Sequence, residues 1–175
     1  MVPHDTCLIA DKGYKGEAGI WRLGLRDNQP ERILAETDEA GKTNALAFGR
    51  SHVFVVHRRG TLSVFDGEVL RDIPLDSELL LPNGLTFDPL TNSLLVSQEK
   101  PTNAVVRIDL TADDGPRPIS RVVSGFQHLF DDSVHVSQDG RFLVVTDKDA
   151  RRVYVFRRTV EAVRQFGQPG PIHIP

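Results

Sequence analysis

Three residues with oxygen-bearing side chains, Asn44, Asn83 and Asp132, hold the same position in three related segments of the sequence. Each of them precedes a short apolar run, and they are spaced 39 and 49 residues apart. Amide and carboxylate oxygens are the ligands that a hard cation such as calcium prefers, and a carboxylate can also act as a general base. Whether this chemistry is available depends on whether the fold brings the three side chains together.

The segments that begin at these residues share the pattern strand, turn, strand, turn, strand. Their first strands read Asn44-Ala-Leu-Ala-Phe, Asn83-Gly-Leu-Thr-Phe and Asp132-Ser-Val-His-Val. A unit of this size cannot bury its own apolar face, so neighbouring units must pack on each other. Units of roughly 40–50 residues made only of short strands are typical of β-propeller blades. A propeller would place the three residues around one central channel, because its innermost strands line that channel.

Further strand signals precede and complete these units. Runs at residues 8–10, 20–23 and 32–34 predict the second, third and fourth strands of a first blade whose innermost strand is missing. Residues 69–73 and 119–123 are predicted as outer strands, with Asp-Gly and Asp-Pro turns between strands. We therefore predict an all-β fold: a single domain over residues 1–175, forming a β-propeller or partial propeller of about four blades with four antiparallel strands each.

The C-terminal tail leaves two arrangements open. In one, Ile172-His173-Ile174 supplies the missing inner strand of the first blade and closes a four-bladed ring, near the lower limit for propellers. In the other, which we favour because four-bladed closure is uncommon, the chain is an excerpt of a longer propeller. Open blade edges would then favour self-association into a homo-oligomer. Residues 161–165 could form a helical turn at the place of a last outer strand.

Composition argues against several classes of partner. Charged residues make up 26% of the chain and the net charge is −3, so we expect no nucleic-acid partner. No run approaches the roughly 20 apolar residues of a membrane span, so we expect no membrane partner. The first residues lack the basic and apolar regions of a signal peptide, which predicts a cytoplasmic protein. Cys7, the single cysteine, is expected to be a small buried residue.

Several motifs resemble known propeller families. The segment Leu81-Pro-Asn-Gly-Leu-Thr-Phe-Asp88, followed by Ser93-Leu-Leu-Val-Ser97, resembles the Pro-Asn-Gly segment of the SMP-30/gluconolactonase family. The segment Thr43-Asn-Ala-Leu-Ala-Phe48 resembles an earlier blade of the same family, whereas residues 135–145 and 153–156 look more like a blade of lactonase or YVTN-type propellers. The resemblance covers most of the chain. It is specific for the architecture rather than for one activity, because similar blades occur in proteins of unrelated function.

The SMP-30/gluconolactonase resemblance implies a divalent metal, commonly calcium, at the mouth of the channel. By position it implies Asn44, Asn83 and Asp132 as metal ligands, with Asp132 also the catalytic residue, and a sugar lactone or related small ester as the small-molecule substrate. His128, in the loop that leads to Asp132, is the histidine best placed to bind that substrate. The family's first-blade glutamate has no clear counterpart, and Ser133 replaces the glycine that follows the aspartate.

Each of these residues also has a structural interpretation. Pro-Asn-Gly is an ordinary turn sequence, so Asn83 could be a turn residue, and Asn44 and Asp132 could likewise shape turns. The histidines share no metal-ligand spacing and are expected to be structural or exposed. No Gly-x-Ser-x-Gly motif or phosphate-binding loop is present, which argues against a serine hydrolase or a nucleotide enzyme. The leading hypothesis is a metal-dependent lactone hydrolase, and the alternative is a non-catalytic propeller that acts as a binding or scaffold module or is truncated.

Overall fold

The computed structural model describes residues 6–11, 19–35, 42–67, 69–111, 115–129, 133–159, 166 and 170–173. Every regular element in these ranges is a β-strand, which confirms the all-β prediction. Within the same ranges, no helix is long and apolar enough to cross a membrane. The strands are β1 (Thr6–Asp11), β2 (Gly19–Gly24), β3 (Pro30–Ala35), β4 (Thr43–Gly49), β5 (His52–His57), β6 (Leu62–Phe65), β7 (Leu70–Asp72), β8 (Leu80–Asp88), β9 (Ser93–Lys100), β10 (Ala104–Asp109), β11 (Ile119–Ser124), β12 (Val134–Val136), β13 (Phe142–Asp147), β14 (Arg152–Arg157) and β15 (Gly170–His173).

The strands form four antiparallel sheets in which sequential strands are neighbours. The first sheet contains β1–β3, the second β4–β7, the third β8–β11 and the fourth β12–β15. Strands β4, β8 and β12 are the inner strands, since β4 and β12 both pack against β8. The predicted outer strands at 69–73 and 119–123 are confirmed as β7 and β11. This arrangement is a partial propeller, as the repeats predict.

The C-terminal strand lies at the outer edge of the fourth sheet. β15 pairs antiparallel with β14, with His173 opposite Arg152 and Ile172 opposite Val153. Of the two arrangements left open, the one in which Ile172-His173-Ile174 completes the first sheet is therefore wrong, because the backbone of residues 170–173 pairs with β14 of the fourth sheet. The first sheet has three strands in the described part of the chain, as predicted. Residues 161–165, where a helical turn was considered, lie outside the described residues.

Each apolar cluster is shared by two neighbouring sheets. One joins the second and third sheets and includes Val56 and Leu94, and another joins the third and fourth and includes Leu95 and Leu143. A further cluster joins the first and second sheets. Leu94 and Leu95 contact different sheets because successive side chains of a strand point to opposite faces. Full burial of such a side chain contributes about 1.5–3 kcal/mol to the free energy of unfolding. The packing of neighbouring sheets therefore stabilises the fold in a way that a single sheet cannot.

One face of the first sheet is uncovered. Leu8 packs against the cluster shared with the second sheet, but Cys7 and Ile9 point to the opposite face of β1 and are exposed. The prediction of a buried Cys7 is therefore wrong. The physical reason is that no described sheet packs on this face, where a preceding blade would lie in a longer propeller.

Candidate functional site

β-Bulges mark both predicted asparagine positions. Opposite β5, strand β4 has one extra residue between Thr43 and Ala45, which is Asn44. Opposite β9, strand β8 has one extra residue between Pro82 and Leu85, the interval that contains Asn83. A bulge interrupts the ladder and redirects a side chain. The repeat in the sequence is thus also a repeat of local geometry, at the same end of two adjacent inner strands.

Asn83 is fixed by two hydrogen bonds. It lies within β8 rather than in a turn, so the turn interpretation of Pro-Asn-Gly is wrong. Its Nδ2 donates to Glu99 Oε1 at 2.7 Å and to the Leu129 carbonyl oxygen at 2.9 Å, and the residue is only 8% exposed. These acceptors determine the orientation of the amide, because the opposite orientation would place its oxygen against two other oxygens. The Oδ1 atom is therefore the one oriented away from both acceptors.

Asn44 is bonded to the segment that carries Asn83. Its Nδ2 donates to the Pro82 carbonyl oxygen at 2.6 Å. This bond crosses from the second sheet to the third and joins the bulge of β4 to the residue that precedes Asn83. The structure thus brings two of the predicted metal ligands to the same end of the inner strands.

Glu99 belongs to this arrangement and was missed by the sequence analysis. It lies near the end of β9, is partly buried, and accepts the hydrogen bond from Asn83. The matching positions after the second strands of the neighbouring sheets carry Arg58 and Lys148. An acidic residue at this position of the repeat is the signal that could have identified it. Its carboxylate supplies the negative charge that a divalent cation site needs.

A buried carboxylate holds the loop that carries His128. Asp147 is 1% exposed and accepts from the main-chain N–H groups of Gln127, His128 and Ala150 at 2.7, 3.1 and 3.2 Å. Buried polar groups are normally satisfied in this way. Asp147 therefore holds the loop in place through hydrogen bonds to both of its carboxylate oxygens.

The next loop residue, Leu129, is hydrogen-bonded through both its N–H group and its carbonyl oxygen. Its N–H donates to Asn103 Oδ1 at 3.2 Å, and its carbonyl oxygen accepts the bond from Asn83 described above. Asn103 also donates to the Gln127 carbonyl oxygen at 2.8 Å. The loop is thereby attached to the third sheet immediately before residues 130–132.

Ser133, which follows residues 130–132 in the sequence, is also hydrogen-bonded to the third sheet. Ser133 donates to Ser97 Oγ at 2.8 Å, and this oxygen also accepts from the Gly84 N–H at 2.8 Å. A Cβ at Gly84 would lie 2.9 Å from Ser97 Oγ and 3.0 Å from the Ser133 nitrogen, so a side chain here would have to displace these neighbours. Asp132 itself lies outside the described residues, and its roles as ligand and catalytic residue stay predictions.

The described histidines differ in their surroundings. His128 is about one-third exposed, and its Nδ1 lies 3.3 Å from Asp149 Oδ2. His57 is buried, and its Nε2 lies 3.2 Å from Ser63 Oγ, which donates to Asp72 at 2.7 Å. These are the residue types of a catalytic triad, but here the serine lies between the histidine and the aspartate, whereas a triad needs the histidine in the middle. His57 is therefore structural.

The donor set fits a hard cation. Within the described ranges, no group of three or more His, Cys, Asp or Glu residues could hold a metal ion. The oxygens at this end of the inner strands come instead from the amides of Asn44 and Asn83 and from the Glu99 carboxylate. Such a set is suited to calcium, which takes amide, main-chain and carboxylate oxygens. The predicted calcium is thus compatible with the residues present.

Comparisons with known proteins identify the fold. No protein-family profile matches this sequence, and no curated protein is similar to it in sequence. Among solved structures, the chain is similar to a periplasmic gluconolactonase of Pseudomonas aeruginosa, with 19% identity and a TM-score of 0.63, over 97% of this chain and 55% of that one.

Proteins with other descriptions have the same fold. An auxiliary nutrient binding protein of Bacteroides thetaiotaomicron has 10% identity and a TM-score of 0.70, over 97% of this chain and 39% of that one. Hydrazine synthase of Kuenenia stuttgartiensis has 16% identity and a TM-score of 0.63, over 97% and 46%. The chain therefore spans between 39% and 55% of these three proteins. At such identities the likeness concerns the fold alone, and the chain has the architecture of a partial β-propeller.

Proposed function

We propose that this chain carries the metal and substrate site of a calcium-dependent hydrolase acting on sugar lactones or related small esters. The observation that carries the proposal is a pair of hydrogen bonds at one end of β4 and β8: Asn83 donates to Glu99 Oε1, and Asn44 donates to the carbonyl oxygen of Pro82, which precedes Asn83. The shared fold with a gluconolactonase supports the choice of substrate class.

The proposed ligands are the Oδ1 atoms of Asn44 and Asn83, the Glu99 carboxylate and Asp132. A bound calcium would polarise a lactone carbonyl and lower the pKa of a bound water. Glu99 has two functions in this arrangement: it contributes negative charge, and it accepts the Asn83 N–H and so orients the amide oxygen. A site whose ligands are already held by such bonds is pre-organised for its cation.

Asp132 is proposed as the general base. It accepts a proton from a water molecule whose oxygen bonds to the carbonyl carbon, and the ring C–O bond of the lactone then breaks as the leaving oxygen takes up a proton. The described residues that flank Asp132, Leu129 and Ser133, are both bonded to the third sheet close to Asn83. His128, on the loop held by Asp147, is proposed to contact the sugar.

The test is hydrolysis of gluconolactone followed by acid release at constant pH, with calcium or with a calcium chelator. Wild-type protein should show calcium-dependent hydrolysis. Asp132→Ala should lower the rate by about 10²–10⁴-fold, the usual contribution of a general base. The matched control is Glu78→Gln, which removes an exposed carboxylate outside this site. A wild-type rate equal to the spontaneous rate, or one that Asp132→Ala leaves unchanged, would contradict the proposal.

A non-catalytic binding module is the second candidate. The observation in its favour is the similarity to an auxiliary nutrient binding protein, which has the highest TM-score of the three structures described above. In this case the same polar end of the inner strands would bind a small molecule without turnover. Saturable binding of gluconolactone with no hydrolysis above the spontaneous rate would favour this candidate.

The proposal also includes the oligomeric state of the chain and its location in the cell. The uncovered face of the first sheet, with Cys7 and Ile9 exposed, supports a homo-oligomer formed through this face. Light scattering should give a mass above that of one chain, and Ile9→Lys should reduce it to one chain. The cytoplasmic location stays a prediction, tested by cell fractionation.

A further inference from the structure

A cavity lies between the second and third sheets, at the end opposite to Asn44 and Asn83. It encloses about 410 Å³ and is lined by residues of the β4–β5, β6–β7 and β8–β9 turns and of the segments around β10 and β11. Because the second and third sheets both have all four strands in this chain, the cavity needs no further blade to be complete.

An asparagine lines this cavity without hydrogen-bond partners. Asn92 is 7% exposed, and neither its Nδ2 nor its Oδ1 has a partner among the described residues. Its backbone is held by the bond from the Leu110 N–H to its carbonyl oxygen, at 3.2 Å. Buried amide groups are otherwise almost always paired. Asn92 therefore contributes an unpaired donor and an unpaired acceptor to the wall of the cavity.

The cavity also concentrates positive charge. Arg50, Arg71 and Arg117 line it, against one carboxylate, Asp66, among the described lining residues. Asp66 Oδ2 lies 3.4 Å from Arg71 Nη2. The Nη1 atom of Arg117 is buried and has no hydrogen-bond partner in the described part of the chain.

We propose that this cavity binds a small phosphate monoester. A phosphate dianion offsets the excess of two guanidinium charges, and guanidinium groups match phosphate oxygens in geometry. The Asn92 amide can donate to a phosphate oxygen and accept from a neighbouring hydroxyl. Phe54 and Leu110 provide an apolar wall for the body of the ligand. The site is separate from the proposed lactone site and goes beyond that function.

The test is calorimetric titration with phenyl phosphate in a phosphate-free buffer, with inorganic phosphate and benzoate as comparison ligands. Wild-type protein should bind phenyl phosphate saturably and more tightly than benzoate. Arg117→Gln should weaken binding by roughly tenfold or more, the loss of a charge-assisted hydrogen bond. Two further substitutions should weaken it as well: Arg71→Gln, at an exposed residue, and Asn92→Asp, which introduces a negative charge.

Arg121→Gln is the matched control, because Arg121 lies exposed on β11 and does not line the cavity. It should leave binding unchanged. Arg71→Gln keeps the test decisive if Arg117→Gln fails to fold, since Arg71 is exposed. Absence of saturable binding to the wild type, binding of benzoate as tight as that of phenyl phosphate, or equal losses in Arg71→Gln and Arg121→Gln would overturn the proposal.

Discussion

Two joints connect complete sheets: the interface of the second sheet with the third, and the interface of the third sheet with the fourth. The contacts in these two joints differ in kind. Where the second sheet meets the third, the rings of Phe54 and Phe87 stack with centroids 6.2 Å apart, and Gly49 lies against the Phe87 ring. Where the third meets the fourth, an ion pair is buried in addition to the apolar cluster: Arg158 Nη2 lies 2.7 Å from Asp88 Oδ2, and the side chains are 6% and 0% exposed.

This difference shows how the fold positions the candidate site. Apolar contacts tolerate several arrangements of similar shape, whereas a buried hydrogen bond or ion pair is costly when its geometry is lost. The polar joint includes the bond from Ser133 to Ser97 and the bond from Asn83 to Leu129, on either side of Asp132 in the sequence. The interface of the third and fourth sheets thus positions Asn83 and the residues next to Asp132, while the bond from Asn44 to Pro82 attaches the second sheet to the same end.

The largest effect is expected from removing one partner of the buried ion pair. Arg158→Leu leaves Asp88 buried without its guanidinium, which should lower the free energy of unfolding by about 3–5 kcal/mol. Urea denaturation of the wild type and the variant measures this loss of unfolding free energy. The control is Glu31→Gln, which removes the exposed ion pair with Arg22 and should cost less than about 1 kcal/mol. A loss as small for Arg158→Leu as for Glu31→Gln would contradict the account of the polar joint.

The apolar joint can be tested at Gly49. A Cβ there would lie 2.3 Å from Phe87 Cγ, so Gly49→Ala must displace the ring and should cost about 1–3 kcal/mol in unfolding free energy. A double-mutant cycle with Phe87→Leu checks the cause, since the smaller side chain should recover part of the loss. Strict additivity of the two substitutions would show that they do not interact.

A smaller effect is expected at the hydrogen bonds that link Ser97 of β9 to Gly84 and Ser133. Ser97→Ala removes the acceptor of the Gly84 N–H and of the Ser133 hydroxyl. Because the hydroxyl can turn to another partner while the buried N–H cannot, we expect a loss of about 1–2 kcal/mol and faster amide exchange at Gly84. Ser120→Ala, on exposed β11, is the control. Unchanged amide exchange at Gly84 would show that the hydrogen bonds of Ser97 do not stabilise the interface between the third and fourth sheets.

The smallest effect concerns a turn at the opposite end of the fourth sheet from these bonds. The pKa of Asp139 is held below its ordinary value, first by the hydroxyl of Ser137 and then by the Arg141 N–H. Ser137→Ala should raise this pKa towards the ordinary value, as followed by NMR titration. Since the pKa is lowered in the folded state, its stabilising contribution is present above the unfolded pKa and is lost as pH falls through the folded pKa. An unchanged pKa would contradict the assigned cause.

The sequence predicted the sheets better than the site. Periodic apolar runs and turn residues identify strands locally, which is why β7 and β11 were found. They do not say which edge a terminal strand joins, which is why the sequence left open whether residues 172–174 complete the first sheet. The repeat shows an acidic residue at Glu99 where its neighbours have basic ones, but its contact with Asn83 depends on the register between β8 and β9 and on a bulge. Neither of these is visible in the spacing of residues along the chain, and Glu99 was missed for that reason.

The most direct test of the central claim is a calorimetric titration with calcium of the wild type, Glu99→Gln and the control Glu78→Gln. Glu99→Gln keeps an acceptor for the Asn83 N–H and removes only the charge. We expect one saturable calcium site in the wild type and in Glu78→Gln, with affinity lowered at least roughly tenfold in Glu99→Gln. Absence of saturable binding to the wild type, or equal affinity in Glu99→Gln, would contradict a calcium site formed by Asn44, Asn83 and Glu99.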